Sequence, residues 1–168
     1  MRKFMPALLF LFTIGTLNAQ MPLKKGAFMF NAGLGFSGWG IPVNAGVNYG
    51  LLTDITLGAD ASFRSYAENL YGSKYTSTVF GIGLTGNYHF NTVLEIPRNW
   101  DFYAGVFVGY YSWSLPDYYP GNNSSGFAPG AQIGGRYFFN KQFGLNLEFG
   151  GGGGVAGGRI GVSYTIDR

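Results

Sequence analysis

The sequence of 168 residues contains no cysteine and a single histidine, and only 11% of its residues are charged. Without cysteine the chain forms neither a disulfide framework nor a lipid-modified N-terminal cysteine. The charged fraction is far below the roughly 25% that is typical of soluble domains. The net charge of +3 includes Arg2 and Lys3, and without these two cations it falls by two, to +1. Such a balance gives no argument for nucleic-acid binding.

Residues 1–19 have the three parts of a secretory signal peptide. Arg2 and Lys3 supply the charged start, residues 7–14 the apolar centre and Ala19 the small residue before the cut. The apolar run is too short to cross a bilayer as a helix, which argues against an uncleaved anchor. The sequence therefore predicts export, with residues 20–168 forming one mature domain.

Eight stretches of the mature chain alternate apolar residues with small or polar ones, most clearly residues 160–167. This period of two is typical of strands with one apolar face, and no stretch outside the leader has a helical period. The predicted strands are residues 27–36, 43–49, 54–66, 75–90, 101–113, 128–139, 143–149 and 159–167.

Lipid is the predicted partner of the apolar faces, because no segment is left over to cover them. The sequence thus predicts an all-β fold, a transmembrane up-and-down antiparallel β-barrel of eight strands. An even strand count places both termini on one side, which export makes periplasmic. The connections 37–42, 67–74, 114–127 and 150–158 are then extracellular, and the 114–127 loop is the largest predicted surface feature.

Aromatic residues gather near the predicted strand ends, as they do at membrane interfaces. One predicted rim consists of Tyr49, Tyr88, Phe90, Phe102, Phe139 and Tyr164, and the other of Trp39, Tyr66, Tyr75, Tyr110, Trp113 and Phe127. The predicted outward face between the rims carries no charge, as hydrocarbon requires.

The eight segments resemble the small outer-membrane β-barrel family of the OmpA transmembrane-domain and OmpX type, over essentially all of the mature chain. Residues 159–166 look like the insertion signal of that class, with Gly161, Tyr164 and Ile166 at its glycine, aromatic and hydrophobic positions. Members commonly end on an aromatic residue, whereas residues 167–168 follow Ile166 here. The resemblance implies recognition by the barrel assembly machinery and contact with outer-membrane lipid and lipopolysaccharide, and no particular activity.

Two glycine-rich stretches do not fit phosphate-binding loops. Residues 33–38 match G-x-G-x-x-G by letter, but no helix follows them. Residues 150–158 lack the lysine and hydroxyl residue of a P-loop and are predicted to form a flexible loop. His89 lies at the predicted periplasmic end of a strand without an evident nucleophile or acid partner. The sequence therefore predicts no catalytic residue, no cofactor and no metal site.

Four charged residues lie on the predicted inward face: Asp60, Arg64, Arg136 and Glu148. With a turn at 140–142, Arg136 would face Asn146 and lie diagonal to Glu148. Two acids and two bases could neutralise one another in a narrow lumen, where unpaired charge is costly. A structural plug is favoured over a selectivity filter, because side chains can fill an eight-stranded barrel.

Four functions remain open at this point. A non-catalytic outer-membrane barrel with interacting loops is favoured, followed by a small-solute pore. An enzyme acting on lipid A would need a histidine near the outer leaflet, and His89 is predicted at the opposite side. A soluble barrel of lipocalin type would need a polar exterior, and the predicted exterior is apolar.

Overall fold

The computed structural model describes residues 23–38, 40–70, 73–115, 124–152 and 155–166, and the predicted signal peptide 1–19 lies outside them. Eight strands form: β1 (Phe28–Phe36), β2 (Val43–Leu52), β3 (Ile55–Leu70), β4 (Ser73–His89), β5 (Trp100–Ser114), β6 (Gly126–Phe138), β7 (Phe143–Gly152) and β8 (Val155–Ile166). Each pairs antiparallel with the next, and β1 pairs with β8. The predicted eight-stranded antiparallel barrel is confirmed. None of the described residues forms a helix long and apolar enough to cross a membrane.

The two ends of the barrel are named here by the position of the chain termini. The terminal end carries the start of β1, the end of β8 and the turns 53–54, 90–99 and 139–142. The distal end carries the connections 37–42, 71–72, 115–125 and 153–154. Residues 116–123 of the predicted 114–127 loop lie outside the described residues.

Two predicted loops at the distal end are wrong, because most of their residues belong to strands. β3 and β4 continue through the predicted 67–74 loop and are joined by residues 71–72. β7 and β8 continue through the predicted glycine-rich loop at 150–158, where Gly150 pairs with Gly157. The rings of Phe36 and Phe149 occupy the space that a Cβ on Gly158 would need. Gly158 therefore lies in the barrel wall beneath these two rings, and β8 continues through this position as a strand.

Large apolar side chains cover the outer face of the barrel. Leu84 and Val106 are 64% and 66% exposed, although they lie in the middle of their strands. By the pairing register, the described part of the outer face carries no charged residue until Lys74, near the distal tip of β4. A charge-free apolar belt of this kind fits contact with hydrocarbon.

A belt of contacting aromatic rings lies at the terminal end, formed by Trp100, Phe102, Tyr137, Phe139 and Phe143. At the distal end Tyr110 and Phe127 make a similar contact, with ring centroids 5.2 Å apart. Tyr66, Tyr75 and Trp113 were predicted in the second aromatic rim, at the membrane interface, but their register places them on the lumen side. The alternation along the strand therefore determines which face of the barrel these residues lie on. Their position near a strand end does not. Trp39 lies outside the described residues.

The apolar belt leads to a first prediction. Leu84→Arg places a cation in mid-strand on the outer face and should lower the free energy of unfolding from lipid vesicles by about 2 to 4 kcal/mol. Val93→Arg is the matched control, because Val93 is equally exposed but lies in the 90–99 turn. Its cost should be about 0 to 1 kcal/mol near the interface. Equal costs at the two sites, measured by denaturant titration, would contradict a lipid-facing β4.

Candidate functional site

An apolar cluster fills the lumen at the terminal end. It consists of Leu23, Ala27, Met29 and Phe138, none of them more than 5% exposed. The segment before β1 folds back to deliver Leu23, since Ala27 N donates to Lys24 O and Gly26 N donates to Gly50 O. This cluster, the terminal stopper, occupies the mouth of the barrel with apolar side chains.

Three polar side chains lie in line near the terminal end. Thr56 Oγ1 is 3.0 Å from His89 Nε2, and His89 Nδ1 is 2.6 Å from Asp101 Oδ1. Because a carboxylate only accepts hydrogen bonds, Nδ1 carries the hydrogen in the second contact. The order of hydroxyl, imidazole and carboxylate is that of a catalytic triad. The sequence-based view that His89 has no such partners was wrong, because the 90–99 connection is too long to fix which residues of β4 and β5 lie opposite each other.

A chain of charged contacts continues from Asp101 through the middle of the lumen. Arg136 Nη1 donates to Asp101 Oδ2 at 2.7 Å, and the Arg136 guanidinium lies 4.1 Å from the centroid of the Tyr103 ring. The Tyr103 hydroxyl donates to Glu148 Oε2 at 2.7 Å. Arg159 Nε then donates to Glu148 Oε1 at 2.8 Å. The chain joins four neighbouring strands across the barrel interior.

Asp60 of β3 ends this chain, because Arg159 Nη1 donates to Asp60 Oδ1 at 3.0 Å. Arg64 lies further towards the distal end and donates to Ser37 Oγ at 3.0 Å. Three carboxylates and three guanidinium groups therefore project into the described lumen and balance one another in charge. We call these six residues the lumen charge network: Asp60, Arg64, Asp101, Arg136, Glu148 and Arg159.

The predicted ion pair between Arg136 and Glu148 is wrong. Arg136 does face Asn146, as the predicted turn requires, but Asp101 lies directly opposite Arg136 on β5. Glu148 likewise lies directly opposite Arg159 on β8. Direct cross-strand neighbours are closer than diagonal ones, so each carboxylate bonds to the arginine that faces it.

Uncharged polar side chains connect neighbouring strands on the other side of the lumen. Asn31 Nδ2 donates to Asn48 Oδ1 at 3.3 Å, and Ser163 Oγ donates to Asn31 Oδ1 at 2.8 Å. Asn146 Nδ2 donates to Ser163 Oγ at 2.9 Å. These four side chains come from β2, β1, β8 and β7. Their bonds tie the strands that close the barrel.

The inward aromatic rings of β5 lie against glycines of the neighbouring strands: Tyr103 against Gly134, Phe107 against Gly130 and Tyr111 against Gly81. A Cβ at any of these glycines would overlap the ring. The rings therefore lie along the barrel wall instead of crossing the lumen. This arrangement explains why glycines alternate with apolar residues in these strands.

A cavity of about 160 Å³ lies in the distal half of the lumen. Asp60, Glu148 and Arg159 form part of its lining, together with the rings of Phe107 and Tyr111. Several of its wall positions are glycines, so that the space is not filled by side chains. No group of His, Cys, Asp and Glu suited to a metal ion occurs in the part of the chain that the structure describes.

The three residues of the predicted insertion signal lie on the terminal half of β8. Tyr164 and Ile166 are both 44% exposed on the outer face. Gly161 pairs with Gly33 of β1, and a Cβ on either glycine would overlap the backbone of the other strand. Glycine at this position therefore permits the close approach of β8 and β1 at the seam of the barrel.

No protein-family model matches the sequence, and no curated protein matches it. Solved structures do match. The outer membrane protein OprG of Pseudomonas aeruginosa has a TM-score of 0.65 at 12% identity, over 87% of this chain and 98% of OprG. The N-terminal β-barrel domain of Pseudomonas aeruginosa OprF has a TM-score of 0.52 at 14% identity, over 84% of this chain and 98% of that domain.

The outer membrane protein Ail of Yersinia pestis also matches, with a TM-score of 0.55 at 10% identity, over 84% of this chain and 100% of Ail. Identities this low establish the fold and nothing finer. The chain has the fold of the small eight-stranded outer-membrane β-barrels.

Proposed function

We propose that this chain is an integral outer-membrane barrel with a closed lumen, which acts through its distal connections and not through transport or catalysis. The observation that carries the proposal is the filling of the lumen in two layers. The terminal stopper fills one mouth, and the buried pair Arg136 and Tyr103 fills the middle. An eight-stranded barrel is narrow enough for side chains to close it in this way.

The proposed outer-membrane location rests on the charge-free apolar belt of the outer face and on the fold shared with outer-membrane proteins. In this proposal the leader 1–19 directs export, and the barrel assembly machinery recognises Gly161, Tyr164 and Ile166. The apolar belt contacts lipid and the distal half contacts lipopolysaccharide. The terminal end then faces the periplasm and the distal end faces outward.

A role in catalysis is disfavoured by the burial of the triad-like residues. Thr56, His89 and Asp101 are each at most 1% exposed, and none of them lines the described cavity. A nucleophile must reach its substrate, and Thr56 reaches only its neighbours. Asp101 is also held by Arg136. We infer that these three side chains stabilise the closed interior.

The distal connections are the part of the proposed surface that could contact a partner. The 115–125 connection contains two tyrosines and two asparagines, and it is the longest distal segment outside the strands. One structural neighbour is named the attachment invasion locus protein. That name describes the neighbour. For this chain we propose a role at the cell surface, which the shared fold supports.

The closed lumen predicts that the purified protein conducts poorly. In planar bilayers we expect no steady single-channel current, because Arg136 and Tyr103 leave no continuous aqueous path. Stable, large currents whose ion preference reverses in Glu148→Lys would establish a small-solute pore in place of this proposal.

The proposed orientation predicts where protease cuts intact cells. Chymotrypsin should cleave first after Tyr118, which lies in the longest distal connection. Cleavage at Leu94 in the 90–99 turn is the internal control and should require a permeabilised outer membrane. The reverse order of cleavage, read by mass spectrometry, would invert the topology.

The lumen charge network predicts a strong effect at Asp101. Asp101→Asn removes the negative charge that faces Arg136, so the variant buries a guanidinium group without its counterion. The expected loss is about 3 to 5 kcal/mol of unfolding free energy. Asp54→Asn is the control, because the Asp54 carboxylate accepts an exposed hydrogen bond from Thr92, and it should cost about 1 kcal/mol.

Adding Arg136→Met to Asp101→Asn should recover much of the loss, since the double variant no longer buries an unpaired cation. Denaturant titration in lipid vesicles compares five proteins: the original chain, Asp101→Asn, Arg136→Met, the double variant and the Asp54→Asn control. Additive losses in the double variant would show that Arg136 does not depend on Asp101 for its partner.

A further inference from the structure

Two buried polar atoms in the lining of the distal cavity have no hydrogen-bond partner among the described residues. They are Asp60 Oδ2 and Thr85 Oγ1. Thr85 is only 8% exposed, so its hydroxyl cannot rely on bulk water. A buried polar atom without a partner is costly, and it usually indicates an unmet contact. The two residues lie on the neighbouring strands β3 and β4, where Asp60 pairs with Gly83 and Thr85 with Gly58.

A ligand that bonds to both of these atoms must carry hydrogen-bond donors. Asp60 Oδ2 can only accept a hydrogen bond, whereas the Thr85 hydroxyl can donate or accept. A molecule that carries two or more hydroxyl groups can satisfy both atoms at once.

The charges around the cavity favour a neutral ligand. Asp60 and Glu148 are both bonded to Arg159, and Arg64 supplies a second cation, so that the charged lining residues cancel. A charged ligand would bring an unbalanced charge into a site whose own charges already cancel.

The size and the apolar part of the cavity fit a ring. A closed cavity of about 150 Å³ accommodates benzene, so the volume of about 160 Å³ holds one six-membered ring. Phe107 and Tyr111 supply aromatic surface in the lining. Small-molecule sites commonly combine such surface with a few fixed polar groups.

We propose that the distal cavity is a binding site for one small neutral polyhydroxylated molecule, a cyclic polyol or a single monosaccharide. Asp60 Oδ2 and Thr85 Oγ1 take up its hydroxyl groups, and its carbon face lies against Phe107 or Tyr111. The inference does not rest on the proposed function, because the cavity binds such a molecule whether or not the barrel conducts.

The test is a titration of the mature chain, folded in lipid nanodiscs, followed by nuclear magnetic resonance of the Tyr111 ring. The probes are myo-inositol and glucose, with ethanolamine, acetate and glycine as cationic, anionic and zwitterionic comparisons. We expect saturable shifts of the Tyr111 signals with the two polyols and none with the charged probes. Tighter binding of any charged probe would overturn the proposal.

Variants of Thr85 test the contact itself. Thr85→Val removes the hydroxyl at nearly constant volume and should weaken polyol binding about fivefold, as expected for one lost hydrogen bond. Thr85→Ser keeps the hydroxyl and should bind like the original chain. Thr76→Val, on the exposed outer side of β4, is the matched control and should leave the affinity unchanged.

Two results would refute the site. Saturable polyol shifts that are the same in Thr85→Val would remove Thr85 from the contact. No saturable shift with either polyol would mean that water alone occupies the cavity. If Thr85→Val does not fold, Ser62→Leu decides instead, because it fills the cavity and leaves Thr85 in place. Loss of the shifts supports the proposal, and their persistence contradicts it.

Discussion

The pairing of buried charges is the interaction on which the interior of this barrel depends. Closing eight strands into a ring brings three carboxylates and three guanidinium groups into a space with little water. An unpaired charge there would cost several kcal/mol, so register and side-chain choice must agree on every strand that carries one. Asp101 faces Arg136 and Glu148 faces Arg159 across adjacent strands. The strand register and the charge network therefore stabilise each other.

Pairs of glycine and aromatic residues on neighbouring strands fill much of the rest of the lumen. Tyr103 and Phe107 would cross the narrow interior if the neighbouring strand had side chains at Gly134 and Gly130. With glycine there, the rings lie along the wall, and the Tyr103 hydroxyl reaches Glu148. The distal cavity remains beside Phe107 and Tyr111, where several wall positions are glycines. The same residue type thus permits tight packing in one half of the lumen and open space in the other.

The predictions from sequence succeeded where geometry is local and failed where the register depends on long connections. The short turn at 140–142 fixed the pairing of Arg136 with Asn146. The connection between β5 and β6 is too long to fix a register, so the contact of Arg136 with Asp101 was missed. The glycines at 150–158 suggested a loop, and hence the partner of Glu148 on β8 could not be found. A period of two placed Leu84 and Glu148 on opposite faces without any tertiary information.

The sequence by itself determined the strand number, the apolar outer face and four of the six charged residues inside, because alternation along a strand needs only neighbouring residues. Only the tertiary structure decided which inward groups bond to each other. Arg159 and Asp60 are 99 positions apart in the chain and lie on strands that are not neighbours. Their contact spans the lumen, and its length is set by the closure of the whole ring. No local pattern encodes that distance.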